Sequence, residues 1–334
     1  MNELSYSVDS LYELQINDEV RIGNVLHHVR RFSRGGMGLV IFLMRDQNEP
    51  PHHILAPTVA IKAVLPADDN QTIRNAFQRE MTIWAGLSHA NIVQLKEILV
   101  TRSDGWVAAM DWCVGSLRNL LDDRSVLSTQ EAIFIIRDLV AGLQYALKEY
   151  GLLHLDLKPA NVLYQHDLFK RMLKHKDDPV RQHVWKISDW GLASTKNARL
   201  EKLIPSLFSD EFLTINNLGT AAYMAPERFV SGTRSSIASD LYAVGLIFYE
   251  MLIGHLPSHF SELGIVEQIC SGRFFRAAAT QLNEQRTPKA VAEIILRLID
   301  PDPEIRGSGY IELIDRLNQL QRPRSLISRL FKSN

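Results

Sequence analysis

The sequence predicts an α+β chain of two lobes, a small antiparallel sheet carrying one helix and a larger, mainly helical part. Three observations predict it. Runs of apolar and β-branched residues separated by turn residues fill residues 25–110. Capping signals and long apolar periodicities dominate from residue 116 onward. Polar residues suited to handling a phosphate stand on both sides of the join between the two parts.

In chain order, residues 1–24 are acidic on balance, with Glu3, Asp9, Glu13, Asp18 and Glu19 against Arg21. They also carry Leu4, Tyr6, Leu11, Tyr12, Leu14 and Ile16, so a docked extension and a frayed tail are both open readings. From His27 the chain reads as two strands joined by Ser33-Arg34-Gly35-Gly36-Met37-Gly38. Glycines there let backbone N–H groups approach a phosphate, although an ordinary hairpin turn uses the same residues. Residues 48–57 read as a loop in which His52 and His53 are solvated. Thr58 to Leu65 is a strand with Lys62 inside it, a charge that must reach water or an anion.

Asp68 to Leu87 predicts a helix with Ile73, Phe77, Ile83, Trp84 and Leu87 on its apolar face. Glu80 lies at the edge of that face, either exposed or paired with an inward cation such as Lys62. Strands at Ile92–Val100 and Trp106–Asp111 bring the first lobe to five. A linker at 111–115 leads to the helical part, expected over 116–325. Ser128-Thr129-Gln130-Glu131 is a capping box for a helix that stops near Gly151. Asp240–Ile253 reads as a buried central helix. Thr287-Pro288 reads as a helix start with threonine at the cap and proline just inside. Ser308–Leu320 supplies a last helix, and residues 326–334 read as a tail.

Composition narrows the function classes. With 46% hydrophobic and 22% charged residues the chain is globular, and a net charge of -1 argues against a polycationic nucleic-acid binder. Two cysteines, Cys113 and Cys270, give neither a disulfide framework nor a four-cysteine metal site. The first residues lack the pattern of a signal peptide, and the apolar run Leu241–Ile253 is too short to span a bilayer. A cytoplasmic protein without a transmembrane segment is the expectation. Oligomeric state is not legible.

The densest chemistry is His154-Leu155-Asp156-Leu157-Lys158-Pro159-Ala160-Asn161. A carboxylate, a cation and an amide on one loop suggest work on a phosphate. In order, the glycine cluster, Val59-Ala60-Ile61-Lys62, Glu80, this loop, Asp189-Trp190-Gly191 and Ala225-Pro226-Glu227 resemble the eukaryotic-type protein kinase family. Gly219-Thr220, the run Asp240 to Gly245, and Arg306 as partner of Glu227 add to it. The resemblance covers about residues 25–321 and implies a bilobal protein kinase-like fold.

It also implies roles. Gly35, Gly36 and Gly38 would cover the phosphates of ATP, and Lys62, held by Glu80, would reach them. Asp156 would accept the substrate hydroxyl's proton and Lys158 would sit by the γ-phosphate. Asn161 and Asp189 would hold magnesium, or manganese. Met110 would back the adenine pocket, Asp111 to Cys113 would bond adenine through the backbone, and Val40, Ala60 and Leu163 would clamp the base. Trp84, Leu95, His154 and Trp190 resemble the family's internal column, which makes His154 scaffold. Lys158 and Gly219-Thr220 imply a serine/threonine acceptor on a protein substrate. The wording Gly35-Gly36-Met37-Gly38 resembles bacterial members. A pseudokinase and a small-molecule kinase are the alternatives, opposed by the intact Lys62, Asp156, Asn161 and Asp189 and by the Ala-Pro-Glu motif respectively.

Five departures stand out. Ser33 replaces the first loop glycine, and Trp190 replaces the usual phenylalanine, with an indole N–H that needs a partner. Leu155 replaces the arginine before the catalytic aspartate, which normally receives an activation-segment phosphate, so activity is expected without one, although Thr214 and Thr220 lie in that segment. Residues 169–183 form a basic insert, either a solvated tip or a dock for an acidic partner. The activation segment, 189–227, is long, and Leu200, Leu203, Ile204, Leu207, Phe208 and Phe212 suggest a helix over the cleft.

Overall fold

The computed structural model describes residues 3–6, 9–35, 38–46, 58–64, 71–101, 105–166, 180–190, 194–195, 221–230, 235–257, 264–307 and 309–321. Gly36, most of the basic insert, Thr214, Gly219, Thr220 and the apolar residues at 200–212 lie outside them.

The smaller lobe is a seven-stranded sheet of order β1-β2-β3-β4-β5-β7-β6. Its strands are β1 (Leu4–Tyr6), β2 (Glu19–Ile22), β3 (Val25–Gly35), β4 (Gly38–Arg45), β5 (Thr58–Val64), β6 (Leu95–Val100) and β7 (Trp106–Asp111). Five were expected. The two additional strands come from the N-terminal stretch, where β2 pairs antiparallel with β3 from Glu19↔His28 to Ile22↔Val25 and β1 pairs with β2. Glu3 also bridges Val100, so the two edges of the sheet meet. Leu4, Leu11, Leu14, Val20 and Ile22 are buried against Val29, Leu39, Ile41, Leu43, Val59, Ile61, Leu99 and Val107. This covers one face of the sheet, and α1 (Gln71–Ala85) serves the other through Phe77, Met81 and Trp84.

The strand expected from Ile92 begins only at Leu95. Ile92 instead bridges Ile187, Val93 N–H donates to Ile187 O, and Ile187 N–H donates to Asn91 O, each at 2.9 Å. The residues before β6 are therefore stitched to the second lobe, which sequence alternation does not encode.

Beyond the linker come β8 (Gly115–Ser116), α2 (Leu117–Arg124) and α3 (Thr129–Tyr150). The capping box forms: Glu131 N–H donates to Ser128 Oγ, Ser128 N–H donates to Glu131 Oε2, and Gly151 closes the helix at φ 65°. Strands β9 (Leu152–Leu153), β10 (Val162–His166), β11 (His183–Ile187) and β12 (Ser194–Thr195) follow. Helix α4 (Ile237–Ile253) is buried along nearly its whole length and ends at Gly254, φ 90°. Then come α5 (Ile265–Cys270), α6 (Arg273–Glu284), α7 (Lys289–Leu298), α8 (Pro303–Arg306) and α9 (Tyr310–Gln321). Helix α7 starts one residue later than expected. Pro288 is itself the cap position and its carbonyl accepts Val291 and Ala292 N–H, with no side-chain cap, so the cap is not Thr287.

Candidate active site

The expected site residues gather where the lobes meet. From above, Lys62 on β5 pairs with Glu80 on α1 and lies 3.5 Å from Asp189. The alternation of β5 buries Val59, Ile61 and Ala63 in one core and turns Ala60 and Lys62 to the other side. One cation is thus shared by two carboxylates. Burial opposes the charge on Lys62, but Asp189 and Glu80 outweigh it and raise its pKa. Burial also resists ionisation of Asp189, yet Lys62, with His154 and Lys158 behind it, holds it low. Glu80 is left as the last of the three to ionise, raised by burial and by the Asp189 carboxylate against the pull of Lys62.

From below, the 154–161 loop is fixed by its own polar groups. His154 is fully buried, bonds Ser188 O through Nε2 and accepts Asp156 N–H at Nδ1, so it is scaffold. Its ring packs edge-on against Trp190 at 4.7 Å between centroids. Lys158 Nζ donates to Asp156 Oδ2 at 2.9 Å, and Asn161 Nδ2 donates to Asp156 O and Oδ2. Asp156 Oδ1 is buried and without a hydrogen bond among the described residues. With Asn161 Nδ2 committed, its Oδ1 is the atom available to a cation. Ser188, next to Asp189, donates its N–H and Oγ–H to Asn161 O, which brings Asn161 and Asp189 together. An amide oxygen beside a carboxylate is a hard donor pair of the kind magnesium takes. Among the described residues no cluster of three or more His, Cys, Asp or Glu offers another metal site.

Around the cleft, Ala60 and Met110 are register partners on β5 and β7, and both are buried with Cys113. Val40 from β4 and Leu163 from β10 pack against the same core from above and below. Gly35 and Gly38 face each other across the β3–β4 hairpin. Burial and the Asp111 carboxylate push the Cys113 thiol up to about 12, so it is an apolar side chain there. Asp111 is buried between Lys186 and Lys96; burial resists its charge, but the two lysines and Gln94 N–H keep its pKa below the ordinary value. Its N–H is taken by Gln94 O, so it is not free for a ligand.

A model of the protein kinase domain matches residues 30–319. The chain belongs to the protein kinase domain family. It is 27% identical over 314 residues to the serine/threonine-protein kinase PknD of Chlamydia felis, covering 87% of this chain and 30% of that protein. It is 30% identical over 203 residues to a probable serine/threonine-protein kinase PknB of Lactococcus lactis, covering 60% of this chain and 28% of that one. It is 31% identical over 254 residues to human serine/threonine-protein kinase ULK3, covering 75% of this chain and 47% of that protein. The chain therefore spans less than a third of either bacterial relative.

Within this kinase fold the Ala225-Pro226-Glu227 motif is anchored as expected: Arg306, buried, bonds Glu227, and Ser239 Oγ donates to the same oxygen at 2.9 Å. Trp190 Nε1 is buried and meets no acceptor among the described residues. Two buried carboxylates were given no contacts by sequence reasoning. Asp240, fully buried at the start of α4, accepts His154 N–H, Leu155 N–H and Tyr310 O–H. Glu250, buried on the same helix, bonds Arg118 and Tyr223. A carboxylate inside an otherwise apolar helix is the signal that finds both. No described helix is long and apolar enough to cross a membrane.

Proposed function

We propose that the chain is an ATP- and magnesium-dependent serine/threonine protein kinase, transferring the γ-phosphoryl group to hydroxyls of protein substrates. The observation that carries this reading is the shared Lys62 cation bonded to Glu80 and Asp189, directly above a loop that aligns Asp156, Lys158 and Asn161. Phosphoryl transfer needs positioning and charge neutralisation more than covalent help, and these groups supply both. A magnesium ion held by Asn161 Oδ1 and Asp189 would neutralise phosphate oxygens. Lys62 orients the α- and β-phosphates while Glu80 holds its ammonium in place. Lys158 lies against the γ-phosphate. Asp156 keeps Oδ2 for Lys158 and Asn161 and offers Oδ1 to the acceptor hydroxyl, whose proton it takes. Gly35, Gly36 and Gly38 close over the phosphates through backbone N–H groups, and Val40, Ala60 and Leu163 clamp the adenine. Met110 limits the pocket's depth, and the backbone of Asp111 to Cys113 edges it. Leu155, in place of an arginine, removes the usual receptor for an activation-segment phosphate, so transfer proceeds without that modification.

The test is an ATP/Mg²⁺ transfer assay on the phosphatase-treated wild type and Asp156→Ala, with generic serine/threonine proteins as acceptors. Transfer by wild type and its loss in the variant are expected. Undiminished transfer in Asp156→Ala overturns the base assignment. Nucleotide binding without any transfer by wild type leaves a nucleotide-binding scaffold instead.

A further inference from the structure

The backbone of Leu155 is left-handed, φ 64°, a conformation that side-chain-bearing residues keep only when their surroundings enforce it. Two side chains distant in sequence do so. Leu155 N–H donates to Asp240 Oδ1 at 2.8 Å, and Leu155 O accepts from Arg228 Nη1. The carbonyl in question belongs to the peptide that leads into Asp156. Arg228 is itself fixed: Glu227, next to it, is gripped by Arg306 and Ser239, and Arg228 N–H donates to Ala225 O at 3.0 Å. Burial lowers the pKa of the guanidinium, while Asp240, Asp156 and Glu227 counter this, and an arginine so placed stays charged. Its Nη2 is buried and meets no hydrogen-bond partner among the described residues. A small cavity lined by Leu155, Asp156, Tyr223, Met224, Arg228 and Asp240 lies between the loop and the 226–229 turn.

We propose that Arg228 is the positioning residue for Asp156: by holding the Leu155 carbonyl it fixes the strained peptide ahead of the base, supplying from the anchored 226–229 turn the cation that position 155 lacks. The base is then aligned by a permanent arginine rather than by an activation-segment phosphate. This rests on the kinase reading above.

The experiment compares wild type, Arg228→Met and Arg228→Lys, all phosphatase-treated, in Mg·ATP transfer to a generic protein acceptor and in amide hydrogen exchange of the nucleotide-free proteins. A charge-assisted hydrogen bond of this kind corresponds to about a 10- to 100-fold fall in kcat for Arg228→Met, with KM for ATP within about twofold of wild type. Arg228→Lys is expected to recover part of the loss. Amides of 154–157 should exchange faster in Arg228→Met while those of β5 keep their protection. A kcat within about twofold of wild type in Arg228→Met, or in Arg228→Lys and Arg228→Gln where the methionine variant does not fold, overturns the proposal. So does a wild type whose activity disappears on phosphatase treatment. Should the wild type transfer nothing, the kinase reading fails instead, and unchanged exchange at 154–157 still refutes the positioning role.

Discussion

Leu11 tests whether the N-terminal strands are part of the small lobe or an ornament on it. Its side chain is 1% exposed, in the same cluster as Leu4, Leu14, Val20 and Ile22, and these cover β3 to β7 on the face away from the cleft. Leu11→Ala removes a buried isobutyl group, which costs about 2–5 kcal/mol when the walls cannot collapse. Here the wall on one side is a sheet whose ladders run from β1 to β6, so little collapse is available and the upper half of that range applies. Set against a whole-domain stability of about 5–15 kcal/mol, the loss is large. The assay is urea denaturation followed by tryptophan fluorescence, together with transfer activity at low temperature. A lower midpoint with unchanged KM for ATP is expected, because Leu11 packs in the cluster on the face of the sheet away from the cleft. Removing residues 1–24 entirely should expose Val29, Ile41, Leu43 and Ile61 and give an insoluble or dye-binding protein. A truncated chain that stays soluble with the wild-type midpoint would refute the argument, as would a Leu11→Ala cost below about 0.5 kcal/mol, the range of a surface substitution.

Two further outcomes follow from the cleft. Glu80 is pushed up to about 7 by burial, with the Asp189 carboxylate adding and Lys62 opposing, so kcat/KM for ATP should rise with pH through neutrality as Glu80 ionises. The sign for stability is the reverse: a raised acid contributes fully below its ordinary value of 4.5 and loses that contribution as pH climbs through about 7, so Glu80→Gln should gain on wild type over that span. Magnesium, by neutralising Asp189, should shift the activity limb to lower pH, and a flat pH profile with or without it contradicts the scheme. Trp190→Phe deletes a buried N–H that meets no acceptor among the described residues, relieving about 1–3 kcal/mol that offsets the lost indole contacts. The variant should stay within about 1 kcal/mol of wild type by urea midpoint, and a loss of about 3 kcal/mol or more, as for an ordinary buried aromatic truncation, counts against it.

Much of the cleft was legible because its chemistry is written locally. Lys62 interrupts an apolar strand and Glu80 interrupts an apolar helix face, and each anomaly finds its answer in the other. The capping box at Ser128 and Glu131 is likewise a four-residue signal. What stayed illegible depends on distant partners. Ile92 reads as strand, but its bridge to Ile187 spans the two lobes. Residues 1–24 hold the same apolar residues whether docked or frayed, and only the uncovered face of β3 to β7 decides between the two. Proline at 288 fits either a cap or a first helical position, and the choice rests on which N–H groups its carbonyl receives.

The 154–161 loop joins both kinds of information. Lys158 and Asn161 both bond Asp156 within six residues, so that this cluster forms is legible in the sequence. The backbone that presents them is left-handed at Leu155, and its two clamps, Asp240 and Arg228, are 85 and 73 residues away. A leucine there supplies no local hydrogen bond to favour that conformation, unlike asparagine or aspartate, so the geometry ahead of Asp156 must be imposed from outside. Asp240 imposes it from the central helix and Arg228 from the turn that closes the activation segment. That division explains how an apolar side chain can precede Asp156: the position needs a constrained backbone, and both constraints come from elements already fixed by Arg306, Ser239 and Tyr310.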